Sequence, residues 1–104
     1  MPLMQITVIP LGTGSPSVGD YVADIQQYLR ERGAEHSLHD MGTIIHGSTE
    51  ELLRLAGEIH SLPFARGVKR VVTQITIDDR RDVERKIGEK QQAVINRLQR
   101  ENEL

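Results

Sequence analysis

The stretch Glu35-His36-Ser37-Leu38-His39-Asp40-Met41-Gly42-Thr43-Ile44-Ile45-His46-Gly47 decides the fold. Its two halves are short, alternate loosely, and meet at Met41-Gly42, so they read as a β-hairpin. With the turn at Met41-Gly42, residue 37 pairs with 46 and residue 39 with 44. On the N-terminal side, Val18, Tyr21, Val22, Ile25, Tyr28 and Leu29 recur at helical spacing, and Gly33 ends that helix. Ser17 with Asp20 three residues on forms a capping-box-like start. Before it, Met4-Gln5-Ile6-Thr7-Val8-Ile9 is β-branched and reads as a strand, broken by Pro10-Leu11-Gly12-Thr13-Gly14-Ser15-Pro16. On the C-terminal side, Ser48 and Glu51 form a second capping box. Leu52, Leu55, Ala56 and Ile59 mark the helix it opens, which closes before Pro63. Arg70 to Asp78 is the clearest strand, with Val71, Ile75 and Ile77 on one face. Asp82 is placed to cap a last helix over about 82–100, carrying Val83, Ile87, Val94 and Leu98.

The order is therefore β-α-β-β-α-β plus a terminal helix. This is an α+β, ferredoxin-like pattern filling a single domain over residues 1–104. Right-handed crossovers put both central helices on one sheet face and leave the other uncovered. Ser37, His39, Ile44 and His46 point to that open face, with Gln5, Thr7, Ile9, Val72, Gln74 and Thr76. Its mixture of apolar and polar groups suits a subunit interface or a ligand pocket, so a homo-oligomer is expected.

Composition narrows the function. The chain has no cysteine, which excludes a disulfide scaffold, a thiolate metal site and a cysteine nucleophile, and which fits a reducing cytoplasm. No apolar run approaches a membrane span and no signal peptide is evident, so a membrane partner is not expected. Tyr21, Tyr28 and Phe64 are the only aromatic rings. The sheet positions that would stack bases carry Thr7, Ile9, Val72 and Gln74, which argues against nucleic acid. Residues 66–104 hold 10 of the 13 basic residues, interleaved with acids, the pattern of a solvated helix face rather than a phosphate footprint.

Three constellations bear on chemistry. His36, His39, His46 and His60 lack the i, i+4 spacing of a helical zinc motif, so no metal site is expected. They are read as polar surface or interface residues, with a ligand contact as the alternative for His46. Thr13-Gly14-Ser15-Pro16-Ser17 lacks the Lys-Ser/Thr pair of a phosphate loop. It serves either as a helix cap or as a hydroxyl-binding end. Asp78-Asp79-Arg80-Arg81-Asp82 could suggest acid–base or Mg²⁺ work, but adjacent arginines more naturally pair with those carboxylates.

Taken in order, Val8-Ile9-Pro10-Leu11-Gly12-Thr13, Ser17, Tyr21-Val22-Ala23, Gly42-Thr43-Ile44-Ile45-His46-Gly47, Arg70-Val71, Ile75 to Asp82 and Lys90 resemble the small thiamine-binding protein family, relatives of the YkoF-type proteins. The resemblance spans nearly the whole chain. It implies a ferredoxin-like subunit, usually tetrameric through its sheets and otherwise dimeric. It also implies a non-catalytic protein that binds thiamine or its hydroxymethylpyrimidine half, with no cofactor. Ser17 and Thr43 would supply hydroxyl contacts and His46 an imidazole; Gln5, Thr7, His39 and Gln74 are further ligand candidates. The family usually has Glu where His46 stands. A carboxylate can hold an aminopyrimidine at two points, whereas a neutral imidazole offers one donor and one acceptor, and repels a cation once protonated. Losing such a contact costs on the order of 1.5–3 kcal/mol. The departure points to weaker binding, to a phosphorylated pyrimidine, or to a carboxylate from Asp40 or a neighbouring subunit. Two competing expectations stay open: an enzyme acting on a small phosphorylated metabolite through the Asp78–Asp82 turn, and a ligand-free structural or regulatory assembly module.

Overall fold

The computed structural model describes residues 1–102. Strands β1 (Leu3–Leu11), β2 (Glu35–His39), β3 (Gly42–His46) and β4 (Arg70–Asp78) form one antiparallel sheet in the order β2-β3-β1-β4. Helices α1 (Gly19–Glu31) and α2 (Thr49–Ser61) lie on one face, and α3 (Glu89–Asn102) ends the described chain. Pro63 turns α2 into a 3₁₀ segment, Leu62–Arg66. The α+β, ferredoxin-like architecture with an added C-terminal helix is what the order of elements in the sequence demands.

The core takes up the apolar stripe of α2 and the C-terminal half of that of α1, leaving Val18, Tyr21 and Val22 outside it. Met4, Ile6 and Ile45 from the sheet meet Ile25, Tyr28 and Leu29 of α1, and Leu52, Leu55, Ala56 and Ile59 of α2. Ser48 caps α2, its Oγ accepting from Glu51 N at 3.2 Å. Across the sheet, Ile75 and Ile77 stand opposite Ile6 and Met4.

Four details depart from expectation. First, the hairpin turns at Asp40-Met41, so Glu35 pairs with His46 and His39 with Gly42, two residues away from the expected register. Gly42 belongs to the strand. A Cβ there would lie 2.7 Å from Thr7 Oγ1 and 2.9 Å from Ile6 O, so glycine lets β3 approach β1. Second, Ser17 does not cap α1. The N-cap is Val18 without a side-chain bond, while Ser15 Oγ accepts from Ser17 N at 3.1 Å. Third, α3 begins at Glu89 rather than 82, because Asp82 is bound to Arg80 and cannot cap; Gly88, at φ 89°, stands just before the helix. Fourth, part of the sheet face away from α1 and α2 is covered. Residues 84–91 lie over Leu3, Ile44 and His46, whereas Gln5, Ile9, Val72, Gln74 and Thr76 stay exposed.

The strands differ in length, and this positions the site. Strand β4 accompanies β1 from Leu3 to Leu11, but β3 accompanies it only from Leu3 to Ile6. Beyond Ile6, β1 has a neighbour on one side only.

Candidate functional site

A groove of about 450 Å³ opens at that unaccompanied edge. The end of the hairpin, the start of α1 and the second half of β1 form its walls. Ile9, Val18, Val22, Leu38 and Met41 supply apolar surface, and Thr7, His39, Asp40 and Thr43 supply polar groups. The volume and the apolar lining with few polar groups are those of a small-molecule site.

Local bonds fix two of the polar groups, Thr7 and Thr43. Thr7 Oγ1 donates to Met41 O at 2.8 Å, which ties the hairpin turn to β1. Gln26 Nε2 donates to the buried Thr43 Oγ1 at 2.9 Å. With its lone pair engaged by Gln26, the Thr43 hydroxyl keeps its proton to donate. Asp40 is exposed at the turn and has no cation partner among the described residues.

Three of the residues singled out from the sequence, Thr7, His39 and Thr43, come together here. Ser17 is exposed just before Val18, next to the groove but not among its lining. Gln5 and Gln74 are exposed outside the groove, with Gln74 opposite Thr7 in the β1–β4 ladder. His46 sits at the far end of β3, because the shifted register separates it from His39 by the length of the hairpin.

His46 is instead buried in an acidic setting. Its Nδ1 lies 3.0 Å from Glu35 Oε2, and its Nε2 lies 3.7 Å from Glu84 Oε1 without a hydrogen-bond partner. Glu84 also accepts from the Met1 ammonium at 2.6 Å. That ammonium chiefly holds the Glu84 carboxyl below its ordinary range, against the opposing effect of desolvation.

In the Asp78–Asp82 turn each carboxylate faces its own cation: Asp78 with Lys90, Asp79 with Arg81, and Asp82 with Arg80. The Arg80 guanidinium is the main cause that lowers the Asp82 carboxyl. Sequence reasoning missed Val22 and Met41 as groove residues and Gln26 as the partner that holds Thr43. A signal for the groove was present in Pro10, since proline inside a strand belongs at an unpaired edge.

Comparisons with known proteins agree over most of the chain. A family model described as "Thiamine-binding protein" matches residues 4–95. The UPF0045 protein in the glkA 3' region of Staphylococcus xylosus is 44% identical over 98 residues, covering 90% of this chain and 92% of that one. The UPF0045 protein YqgV of Bacillus subtilis is 41% identical over 103 residues, covering 95% and 99%. Among solved structures, the hypothetical protein MJ1052 of Methanocaldococcus jannaschii superposes with a TM-score of 0.79 at 32% identity, covering 89% of this chain and 94% of that one.

Proposed function

Because the chain belongs to the thiamine-binding protein family, we propose that its groove binds the aminopyrimidine of thiamine, or the hydroxymethylpyrimidine precursor alone, without catalysing a reaction. The observation that carries this reading is the pairing of an apolar slot with the Thr43 hydroxyl at its base and the Asp40 carboxylate at its rim. The slot suits a flat ring laid against the free edge of β1, with Ile9 reaching it from the open sheet face, Val22 from the helix face, and Leu38 and Met41 from the hairpin. Thr43 donates to a ring nitrogen or substituent, and Asp40 offsets the charge of a thiazolium outside. In this placement Asp40 takes the part of the carboxylate that His46 does not supply, and His46 serves the structure rather than the ligand. Ser17, Gln5 and Gln74 are left for contacts with the ligand's outer half or with a second subunit.

The exposed mixed face of Ile9, Val72 and Gln74, together with the exposed Val94 and Leu98 of α3, supports a homo-oligomer, a tetramer or a dimer. Among the described residues no helix is long and apolar enough to cross a membrane. A cytoplasmic location is our reading from the absence of cysteine.

Calorimetric titration with thiamine, its phosphates and hydroxymethylpyrimidine tests the assignment. Saturable heat and thermal stabilisation are expected, with Thr43→Val weakening binding about fivefold through one lost hydrogen bond. Absence of heat with every one of these compounds overturns it.

A further inference from the structure

Strand β1 records which way its backbone groups point. In an antiparallel ladder the N–H and C=O of one residue face the same neighbouring strand, and successive residues alternate. Pro2 C=O accepts from Gly47 N, just past the end of β3. Ile6 O lies 2.9 Å from the place a Cβ on Gly42 would occupy. Pro10, aligned with Val71 of β4, has no N–H to give to that strand. All three place the even-numbered residues of β1 on the β3 side.

Val8 lies between Ile6 and Pro10, so its N–H and C=O face that side too. Among the described residues no strand meets them, because the β1–β3 ladder ends at Ile6–Thr43. Met41 is next along the hairpin, and its carbonyl accepts from Thr7 Oγ1; no backbone bond joins it to Val8. Val8 lines the groove.

We infer that the main-chain N–H and C=O of Val8 are the ring-recognition pair of the groove, where a ligand takes the place that a longer β3 would occupy. This rests on the function proposed above and narrows it. One extended residue presents a donor beside an acceptor, the pattern to which another strand answers with an acceptor beside a donor. A neutral aminopyrimidine has that complement on one edge: a ring nitrogen to accept from Val8 N–H and an adjacent amine to donate to Val8 C=O. The class selected is therefore a flat azine with an amino group next to a ring nitrogen. A ring protonated at that nitrogen presents two donors and is rejected. The main chain reads this edge of the ring, and Thr43 and Asp40 hold the rest of the ligand.

The test follows the Val8 amide in the ¹⁵N-labelled full chain while hydroxymethylpyrimidine is added, with calorimetry on the same sample. Val8 N–H exchange should slow about tenfold or more at saturation, while the amides of Thr7 and Ile9, which face β4, stay as they were. Val8→Pro removes the donor as well as the isopropyl group and should weaken binding about tenfold, whereas Val8→Ala trims the side chain but keeps the donor and should bind within about threefold of the parent. An analogue with CH in place of the adjacent ring nitrogen should lose as much as Val8→Pro. Heat of binding with an unchanged Val8 amide overturns the inference and leaves the proposed function standing. No heat with hydroxymethylpyrimidine overturns the inference, and no heat with thiamine and its phosphates as well overturns both. If Val8→Pro does not fold, the amide measurement on the unaltered chain decides.

Discussion

Gly42 sits so close to β1 that one methyl group changes the docking of the hairpin. A Cβ would meet the backbone oxygen of Ile6, which cannot swing away as a side chain can. Gly42→Ala should therefore cost about 1–3 kcal/mol, read as a lower urea midpoint with unchanged slope. His46 gives the opposite lesson. Glu35 and Glu84 already flank it, so His46→Glu would gather three carboxylates around a buried site. We expect a loss of about 1–3 kcal/mol at pH 7. The new carboxyl would titrate above its unfolded value, so the deficit is present at neutral pH and shrinks as pH falls through that raised pKa. Urea unfolding at pH 5 and pH 7 checks both parts. These residues also show where sequence reading stops. Glycine in a hairpin ordinarily marks the turn, but Gly42 is needed for close approach, and spacing alone does not distinguish the two uses. That ambiguity moved the register by two and brought His39 and His46 together on paper when they lie at opposite ends of the hairpin.

At the scale of elements, apolar periodicity carries further than polar punctuation. Of the residues spaced for burial, Ile25, Tyr28 and Leu29 of α1 and Leu52, Leu55, Ala56 and Ile59 of α2 pack into the core, whereas Val18 is exposed and Tyr21 and Val22 are half-buried. Removing one should show it, and Ile59→Ala is expected to cost about 2–5 kcal/mol in thermal or urea unfolding. Capping signals are less dependable because short polar side chains have local alternatives. Ser48 finds Glu51 N, but Asp82 is taken by Arg80, and the turn before α1 is organised by Ser15 rather than Ser17. Ser48→Ala should cost about 1 kcal/mol, and Ser17→Ala less than about 0.5 kcal/mol, compared side by side in thermal melts. The groove was legible only in part. Thr7, Thr43 and His39 stand out as polar groups near a sheet, but their convergence depends on β3 stopping at Gly42, a length that local pattern does not define.

Over the whole molecule, Arg66 of the 3₁₀ segment reaches back 42 residues to Asp24 of α1, with Nε and Nη2 on the two carboxylate oxygens. This hydrogen bonding is the main cause that holds the Asp24 carboxyl below its ordinary range, against a smaller opposing effect of burial. The sign follows: a depressed folded pKa gives stability that is present above the unfolded value of about 4 and lost as pH falls through the folded one. Stability should decline below about pH 4, and Asp24→Asn should flatten that decline, as measured by urea midpoints across the acid range. The pair is largely exposed, so the effect is modest and falls with added salt. Helix α3 has a different consequence. None of its 14 residues is buried, and the molecule is drawn out to 56 × 30 × 21 Å. A peptide helix of that length is marginal in water. If copies of the chain cover Val94 and Leu98, the helix is a built-in concentration gauge. Dilution should then melt it first and leave the sheet intact, so circular dichroism per residue would fall with protein concentration before any loss of the core.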